Sequence, residues 1–275
     1  MILGISSLGH LIEFASRKFQ DYFTIVFNAT EKCLNFVEEH DLNLVELVIE
    51  PESIIVDGNK WKFIDLVNSY SFQKQVHGPF IDISLCSHND TISQASIEAY
   101  INTYHICKEI NANIMTIHPG IANSTMQSMR NYNKKQLSKA ITKILQTIND
   151  SNFTLCLENM PQTAHIMLDQ DDIKDTLTFI NRNDLFITFD TSHFYTNRGN
   201  VGILWERFHD IIKNVHLVEN FSRKSDTHPM LGSGKIQFSK IFQEMKNFSY
   251  NGPLIIELAS SDDLLQSVDF ISKFL

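Results

Sequence analysis

Six times in this chain a short apolar run leads to a residue able to bind a metal ion. His77 closes SFQKQVH, His118 closes NIMTIH, Glu158 closes NFTLCLE, Asp190 closes DLFITFD and Glu257 closes PLIIE, while His216 sits inside KNVHLVEN. Between successive members lies enough chain for a loop, a helix and a return strand. In an α/β barrel, side chains at the carboxyl ends of neighbouring strands converge on one mouth. A lone histidine or carboxylate at a strand end is ordinarily a hydrogen-bonded structural group. Six in series, arriving from six consecutive strands, are poorly explained as packing and point to a metal enzyme.

The segments between them fit the same plan. ILGISS, LNLVELVI, QKQVH, NIMTIH, NFTLCLE, LFITFD, NVHLV and PLIIEL read as eight strands. Near-continuous apolar strands suit a parallel sheet covered on its outer face. Helical spacing appears in NATEKCLNFVEEH, with Cys33, Phe36 and Val37 on one face, and in SQASIEAYINTYHICKEI, with Ile97, Ile101, Tyr104 and Ile106 near one stripe. NKKQLSKAITKILQTIND is the clearest amphipathic helix, with Leu137, Ile141, Ile144, Leu145 and Ile148 inward. DDIKDTLTFI, ILWERFHDII, SKIFQEMKNF and DDLLQSVDFISKFL continue the series. These units predict an α/β fold, a single closed (β/α)8 TIM barrel over residues 1–275, whose length lies close to the ~250 residues typical of that fold. A doubly wound open sheet is the competing arrangement, but no G-x-G-x-x-G or P-loop sequence supports a nucleotide fold.

Composition narrows the setting. A formal charge of −9 argues against broad non-specific binding to nucleic acid, yet bound divalent ions reverse the local field and leave a phosphate substrate open. Cys33, Cys86, Cys107 and Cys156 form no C-x-x-C pair and read as buried apolar residues in a reducing cytoplasm. MILGISSLGHLIEF lacks the basic start and long apolar core of a signal peptide. No segment approaches the ~20 apolar residues of a membrane span.

Three further residues extend the six. His193 follows Asp190, and Asp226 and His228 flank Thr227 in a loop after His216, followed by a turn at Gly232-Ser233-Gly234. Zinc takes nitrogen and oxygen ligands at about four positions, so five imidazoles and four carboxylates exceed the need of one ion. They suit two or three Zn2+ ions, with Mn2+ or another divalent ion as the substitute and a carboxylate such as Glu158 bridging two. Four carboxylates crowded into one mouth would not all ionise without such ions. His40, His105 and His209 fall in helix patterns, and His10, His88 and His165 are expected in mouth-side loops. Met160 and Pro161 are expected to shape the loop after Glu158.

The runs H-G-P-F from His77, T-I-H-P-G around His118, L-E-N around Glu158, F-D-T-S-H from Phe189 to His193, V-H-L around His216, D-T-H-P-M-L-G-S-G from Asp226 and I-I-E ending at Glu257 resemble the xylose-isomerase-like barrel superfamily over nearly the whole chain. Within it the nine-residue set resembles AP endonuclease family 2, the endonuclease IV type. That resemblance implies a first zinc on His77, His118 and Glu158, a second on Glu158, Asp190, His216 and Glu257, and a third on His193, Asp226 and His228. It implies a DNA-repair hydrolase, in which a hydroxide bridging two zinc ions attacks phosphorus at an abasic site in duplex DNA. The default state for such an enzyme is a monomer. On this reading Phe80 and Ile81 wedge into a base stack or are buried beneath their loop. Arg130, Lys134, Lys135, Arg198, Arg223 and Lys224 are the candidate phosphate contacts. Other features resemble the sugar isomerase and epimerase branch: Glu158-Asn-Met-Pro, His77-Gly-Pro-Phe, the opening LGISSLGH, and Thr227 where the endonucleases usually carry arginine. That branch implies one divalent ion on Glu158, Asp190, His216 and Glu257, a small sugar or sugar phosphate as substrate, and Glu158 and Glu257 as the catalytic acid/base pair.

Overall fold

The structure is a computed structural model that describes residues 1–16, 21–55 and 58–275. In chain order its elements are β1 (Ile2–Ser6), α1 (Leu8–Ala15), α2 (Tyr22–Glu39), β2 (Leu44–Val48), α3 (Pro51–Ile55), α4 (Asn59–Asn68), β3 (Gln73–His77), α5 (Asp90–Glu109), β4 (Ile114–Ile117), α6 (Gln127–Ile148), β5 (Thr154–Glu158), α7 (Gln170–Ile180), β6 (Phe186–Asp190), α8 (Thr191–Thr196), α9 (Val201–Phe208), β7 (Ile212–Leu217), α10 (Phe238–Asn247), β8 (Pro253–Ile256) and α11 (Leu264–Ser272). The eight strands pair in sequence order, all parallel, and β8 closes on β1 with Ile5 opposite Ile256. Gly4 makes the β1–β2 approach possible, since a Cβ there would lie 2.5 Å from the Leu44 carbonyl oxygen.

Local chemistry starts and stops the outer helices. Asp21, Asn89, Asp169 and Asn200 cap α2, α5, α7 and α9 by accepting from backbone N–H groups in the first turn. Asn149 and Asn181 end α6 and α7 in the left-handed region, where asparagine is tolerated better than most residues. Leu137, Ile141, Ile144, Leu145 and Ile148 of α6 are all buried, as their spacing predicts. On α5 the buried face is turned from the predicted stripe: Ile97 and Ile106 are buried with Tyr100, Thr103 and Cys107, while Ile101 and Tyr104 are half-buried.

Strand alternation separates two environments. Val76, Ile117, Leu157, Phe189, Val215 and Ile256 face the helices and are fully buried there. The intervening residues face the axis, as hydrogen bonds spanning the barrel show: Thr116 Oγ1 to Thr188 Oγ1 at 2.7 Å, and Gln75 Nε2 to Asn214 Oδ1 at 3.0 Å. Barrel interiors of this type are dominated by Val, Ile and Leu. Here the layer beneath the mouth is polar.

Candidate metal centre

Each of the six strand-end residues arrives at the carboxyl mouth. His77, Glu158 and Asp190 are the last residues of β3, β5 and β6; His118 and Glu257 follow β4 and β8 directly; His216 is the penultimate residue of β7. His193 comes from α8, a short helix capped by Asp190 itself, whose Oδ1 accepts from the His193 N–H at 2.6 Å. Asp226 and His228 come from the long β7–α10 loop. Glu219 holds its returning limb by accepting from the N–H groups of Gly232 and Ile236 at 3.1 and 3.0 Å. Gly234 is required by the close packing there, since a Cβ would lie 2.5 Å from the Asn220 carbonyl oxygen.

The nine side chains meet around Glu158. Its Oε2 lies 2.8 Å from His118 Nε2 and 3.5 Å from His77 Nε2, while its Oε1 lies 3.1 Å from His216 Nδ1 and 3.5 Å from His193 Nδ1. One carboxylate therefore faces His77 and His118 with one oxygen and His216 and His193 with the other. Farther out, Asp226 Oδ2 lies 3.0 Å from both His193 Nε2 and His228 Nε2, and His228 Nδ1 lies 3.4 Å from Glu257 Oε1. Among the described residues, donor atoms within 4.8 Å of one another form groups of His77, His118 and Glu158; of Glu158, Asp190 and His193; of His193, Asp226 and His228; and of Glu46, His216 and Glu257.

The surroundings orient these donors. Backbone carbonyls can only accept, so His77 donates Nδ1–H to Gly78 O at 2.8 Å and His193 donates Nδ1–H to Asn159 O at 2.9 Å. Both rings thereby keep Nε2 for the cluster. Asn159 also ties the ends of β5 and β6 together, accepting from Asp190 N at 2.8 Å and donating to Asp190 O at 3.0 Å. Ser192 donates to Asp226 Oδ1 at 2.6 Å and is itself held by Asn220 at 2.9 Å. Thr227 turns back to Asn220 Oδ1 at 3.1 Å. His228 carries a positive φ of 45°, strain for a non-glycine residue at a site.

Electrostatics show how tightly the groups are coupled. Burial pushes the Asp190 carboxyl up to about 7, with Glu158 and Asp226 adding to the shift. Burial opposes the charge on Glu158 as well, but His216 and His118 outweigh it and hold that carboxyl well below the usual range. For His77 burial acts downward, yet the hydrogen bond and charge of Glu158 carry the imidazole up to about 9. Burial lowers His118.

A direct observation tests whether the donors fit divalent ions. Among the described residues, Asp190 Oδ2, Glu257 Oε2 and His228 Nδ1 are buried and have no hydrogen-bond partner. Orphaned buried groups of this kind are costly, and three of them turned into one nest of imidazoles and carboxylates match the nitrogen and oxygen donors zinc prefers. The donor set fits.

The mouth above is a cavity of about 210 Å³ walled by Leu8, Val48, Phe80 and four of the imidazoles. Phe80 is half-buried, its ring 5.6 Å from that of His77 and 6.1 Å from that of His118, so it roofs the donors and does not project as a wedge. Ile81 is 48% exposed. Glu50, which strand-end reasoning passed over, accepts from Phe80 N at 3.1 Å and from Ile81 N at 3.4 Å and so anchors this loop. Arg223 lies outside the donor cavity: it stacks 4.4 Å from the Tyr195 ring and lines a hollow of about 340 Å³ with Lys235 and Lys240. Arg198 and Lys224 share the adjoining surface with Arg223, and Lys135 is exposed on α6.

Several expected positions are corrected. Lys134 is buried and committed to Asp172 and Asp175, each at 2.6 Å, which removes it from the candidate phosphate contacts. Arg130 turns inward to Asn123 O and lies 3.4 Å from His165 Nδ1. His10 is not in a loop but buried in α1, where burial lowers its pKa to about 4. Glu46 in β2 was missed as part of the site; its signal was a charged residue in the middle of the apolar run LVELV.

Comparison with known proteins adds to this geometry. A family model described as a xylose isomerase-like TIM barrel matches residues 28–274. An uncharacterized protein of Methanocaldococcus jannaschii is 24% identical over 246 residues, covering 87% of this chain and 82% of that protein. A probable endonuclease 4 of Mycoplasma genitalium is 25% identical over 202 residues, covering 68% and 67%. The crystal structure of a D-tagatose 3-epimerase-like protein superposes with a TM-score of 0.82 at 23% identity, covering 100% of this chain and 97% of its own. At that identity the structural likeness shows the fold alone.

Proposed function

The chain belongs to the xylose isomerase-like TIM barrel family, and from that premise we propose that it is a divalent-metal-dependent phosphodiester hydrolase acting on duplex DNA at abasic sites. The observation that carries this reading is the outer group of donors: His193, Asp226 and His228 gather beside those built on Glu158. Proton exchange at a sugar carbon has no evident use for that group. Phosphodiester cleavage does, because charge develops on both the attacking and the leaving oxygen. Zinc, with manganese as the substitute, would supply Lewis acidity toward phosphoryl oxygens and a nucleophile at neutral pH.

The chain's own residues do the rest. Glu158 fixes the spacing of the two imidazole pairs. Ser192 and Asn220 hold Asp226 in line with His193 and His228. Glu257, with Oε2 unpartnered and 3.5 Å from His216 Nδ1, would hold an ion together with His216. Leu8 and Phe80 give the cavity an apolar wall beside the donors. Glu158, Asp190, Asp226 and Glu257 would leave three divalent ions under-neutralised, which favours an anionic substrate. Arg198, Arg223, Lys224 and Lys235 on the rim are the phosphate contacts of this reading. Among the relatives, the probable endonuclease 4 supports this chemistry, while the epimerase structures among the neighbours in fold favour the second reading below.

A second reading, sugar or sugar-phosphate epimerisation, has its own observation. Glu158 and Glu257 approach the same His216 nitrogen, at 3.1 and 3.5 Å, inside a small roofed cavity of about 210 Å³. Two such carboxylates could exchange a proton on opposite faces of a carbon. One assay separates the readings: metal-loaded protein is offered an abasic-site duplex and, in parallel, a panel of ketoses and ketose phosphates. Cleavage on the 5′ side leaving a 3′ hydroxyl, with two or three ions per chain, is expected. Sugar turnover beside an inert duplex, with a single bound ion, overturns the hydrolase in favour of the epimerase.

A further inference from the structure

Beneath the mouth lies a buried polar layer that neither reaction reading uses. Glu46 of β2, Gln75 of β3, Thr116 of β4, Thr188 of β6 and Asn214 of β7 are all at most 1% exposed. Such a layer is costly in a barrel interior unless its groups satisfy one another. Gln75 Nε2 donates to Glu46 Oε2 at 2.7 Å, and Asn214 Nδ2 donates to the same oxygen at 3.1 Å. Gln75 Nε2 also reaches Asn214 Oδ1 at 3.0 Å, which locks the two amides together.

Above this layer sits His216. Its Nε2 lies 3.0 Å from Glu46 Oε1 and 3.2 Å from Oε2, while its Nδ1 faces Glu158 and Glu257. Glu46 receives amide donors from two sides, so it is built to be a pure acceptor. Asn214 Nδ2 also lies 3.1 Å from His216 Nε2, but its two hydrogens go to Glu46 Oε2 and Thr116 Oγ1, each at 3.1 Å, so Nε2 carries its own hydrogen towards Glu46 and the Nδ1 lone pair is the one left for an ion. Glu46 faces Nε2 while Glu158 and Glu257 face Nδ1, so with the hydrogen on Nε2 the Glu46 carboxylate serves the ring and the other two share the side of the free lone pair. His77 and His193 turn their spare nitrogen to backbone carbonyls. His216 turns its spare nitrogen to a carboxylate, a stronger acceptor that also raises the donor strength of the ring.

We infer that Glu46 is the positioning residue of the metal centre: it fixes the tautomer and orientation of His216, and Gln75 and Asn214 fix Glu46 in turn. This rests on His216 being a metal ligand, and not on whether the substrate is DNA or a sugar.

The test uses chelator-stripped full-length protein titrated with zinc against a chromophoric competitor, together with nitrogen NMR of the His216 ring. Glu46→Gln is expected to weaken the ion held with His216 by about 10- to 100-fold and to mix the two ring tautomers. Thr188→Val, in the same layer but bonded to Thr116 across the barrel, is expected to leave zinc affinity unchanged. If Glu46→Gln does not fold, Gln75→Leu carries the test, removing one donor to Glu46 while keeping the glutamate; affinity is then expected to fall several-fold. Wild-type affinity and an Nε2–H ring in the Glu46→Gln or Gln75→Leu protein would overturn the inference, as would an equal loss in Thr188→Val. A wild-type chain that binds no divalent ion would overturn the metal reading and this inference with it. An inert duplex with normal zinc binding would touch only the choice of substrate.

Discussion

The two faces of the same strands are opposites. Outward, Leu155 and Leu157 of β5, Ile187 and Phe189 of β6, and Val215 and Leu217 of β7 pack against helices with almost no exposed surface. Inward, one residue away, stand Glu158, Thr188, Asp190, Asn214 and His216, equally buried and charged or polar. The jacket is a conventional apolar core, whose burial contributes roughly 25 cal/mol per Å² removed from water. The interior gains little from burial and carries unpartnered atoms at Asp190 and Glu257. Alternation of period two lets one strand serve both purposes. Stability and chemistry are thus divided between the faces, and a substitution on one should leave the other largely intact.

The largest effect tests the inner face. Glu158→Gln keeps size and shape but removes the charge that faces two imidazole pairs. Turnover on whichever substrate is active should fall by more than about 10²-fold, beyond what outer-sphere partners of a metal ordinarily cost, while the chain stays folded by circular dichroism. Near-normal turnover would break the reading of Glu158 as the bridge. Leu155→Ala tests the jacket, three residues earlier on the same strand and 1% exposed. Denaturant unfolding should show a loss of about 2–5 kcal/mol, with zinc stoichiometry unchanged. Loss of metal in that variant would show the two faces to be coupled.

Chelation probes the interior from the other side. Ions that bind the folded chain alone stabilise it by about 2.7 kcal/mol at a hundred times the dissociation constant, so stripped protein should melt lower than metal-loaded protein. Equal melting temperatures would mean that the donors hold nothing.

His10 is the exception within the jacket. It is buried in α1, and burial lowers its pKa from 6.5 to about 4, with Lys32 adding to the shift and Glu13, 3.8 Å away, opposing it. Between those two values the unfolded chain binds the proton and the folded chain does not, so stability rises with pH through this window. The contribution is whole above about 6.5 and is lost as pH falls toward 4. His10→Leu should therefore match the wild type at pH 8 and exceed it by about 2 kcal/mol at pH 5. Parallel stability curves for the two proteins across that window would refute this account. The smallest effect belongs to the rim. Arg223→Ala, exposed and stacked on Tyr195, should change stability by less than about 0.5 kcal/mol. If DNA is the substrate, it should weaken duplex binding a few-fold and lower the salt slope by about one. Unaltered binding would remove Arg223 from the substrate path.

What could be read from the chain alone was whatever is local or periodic. Eight apolar runs alternating with helical patterns foretold the closed barrel. The habit of ending those runs on His, Asp or Glu marked the residues that gather at the mouth, because a strand end in this fold has one destination. Pairings set by distant parts of the chain were not legible. Glu46 meets His216 across 170 residues of sequence, and nothing near either position names the other. Lys134 looked like any helix-face cation until α7 brought Asp172 and Asp175 to it. The direction of Phe80, over the donors and not away from them, depends on Glu50, just beyond the end of β2, catching its backbone. Periodicity decides which face a side chain joins, since it is a property of the backbone. Which group it meets there is decided when strands far apart in sequence close around one axis.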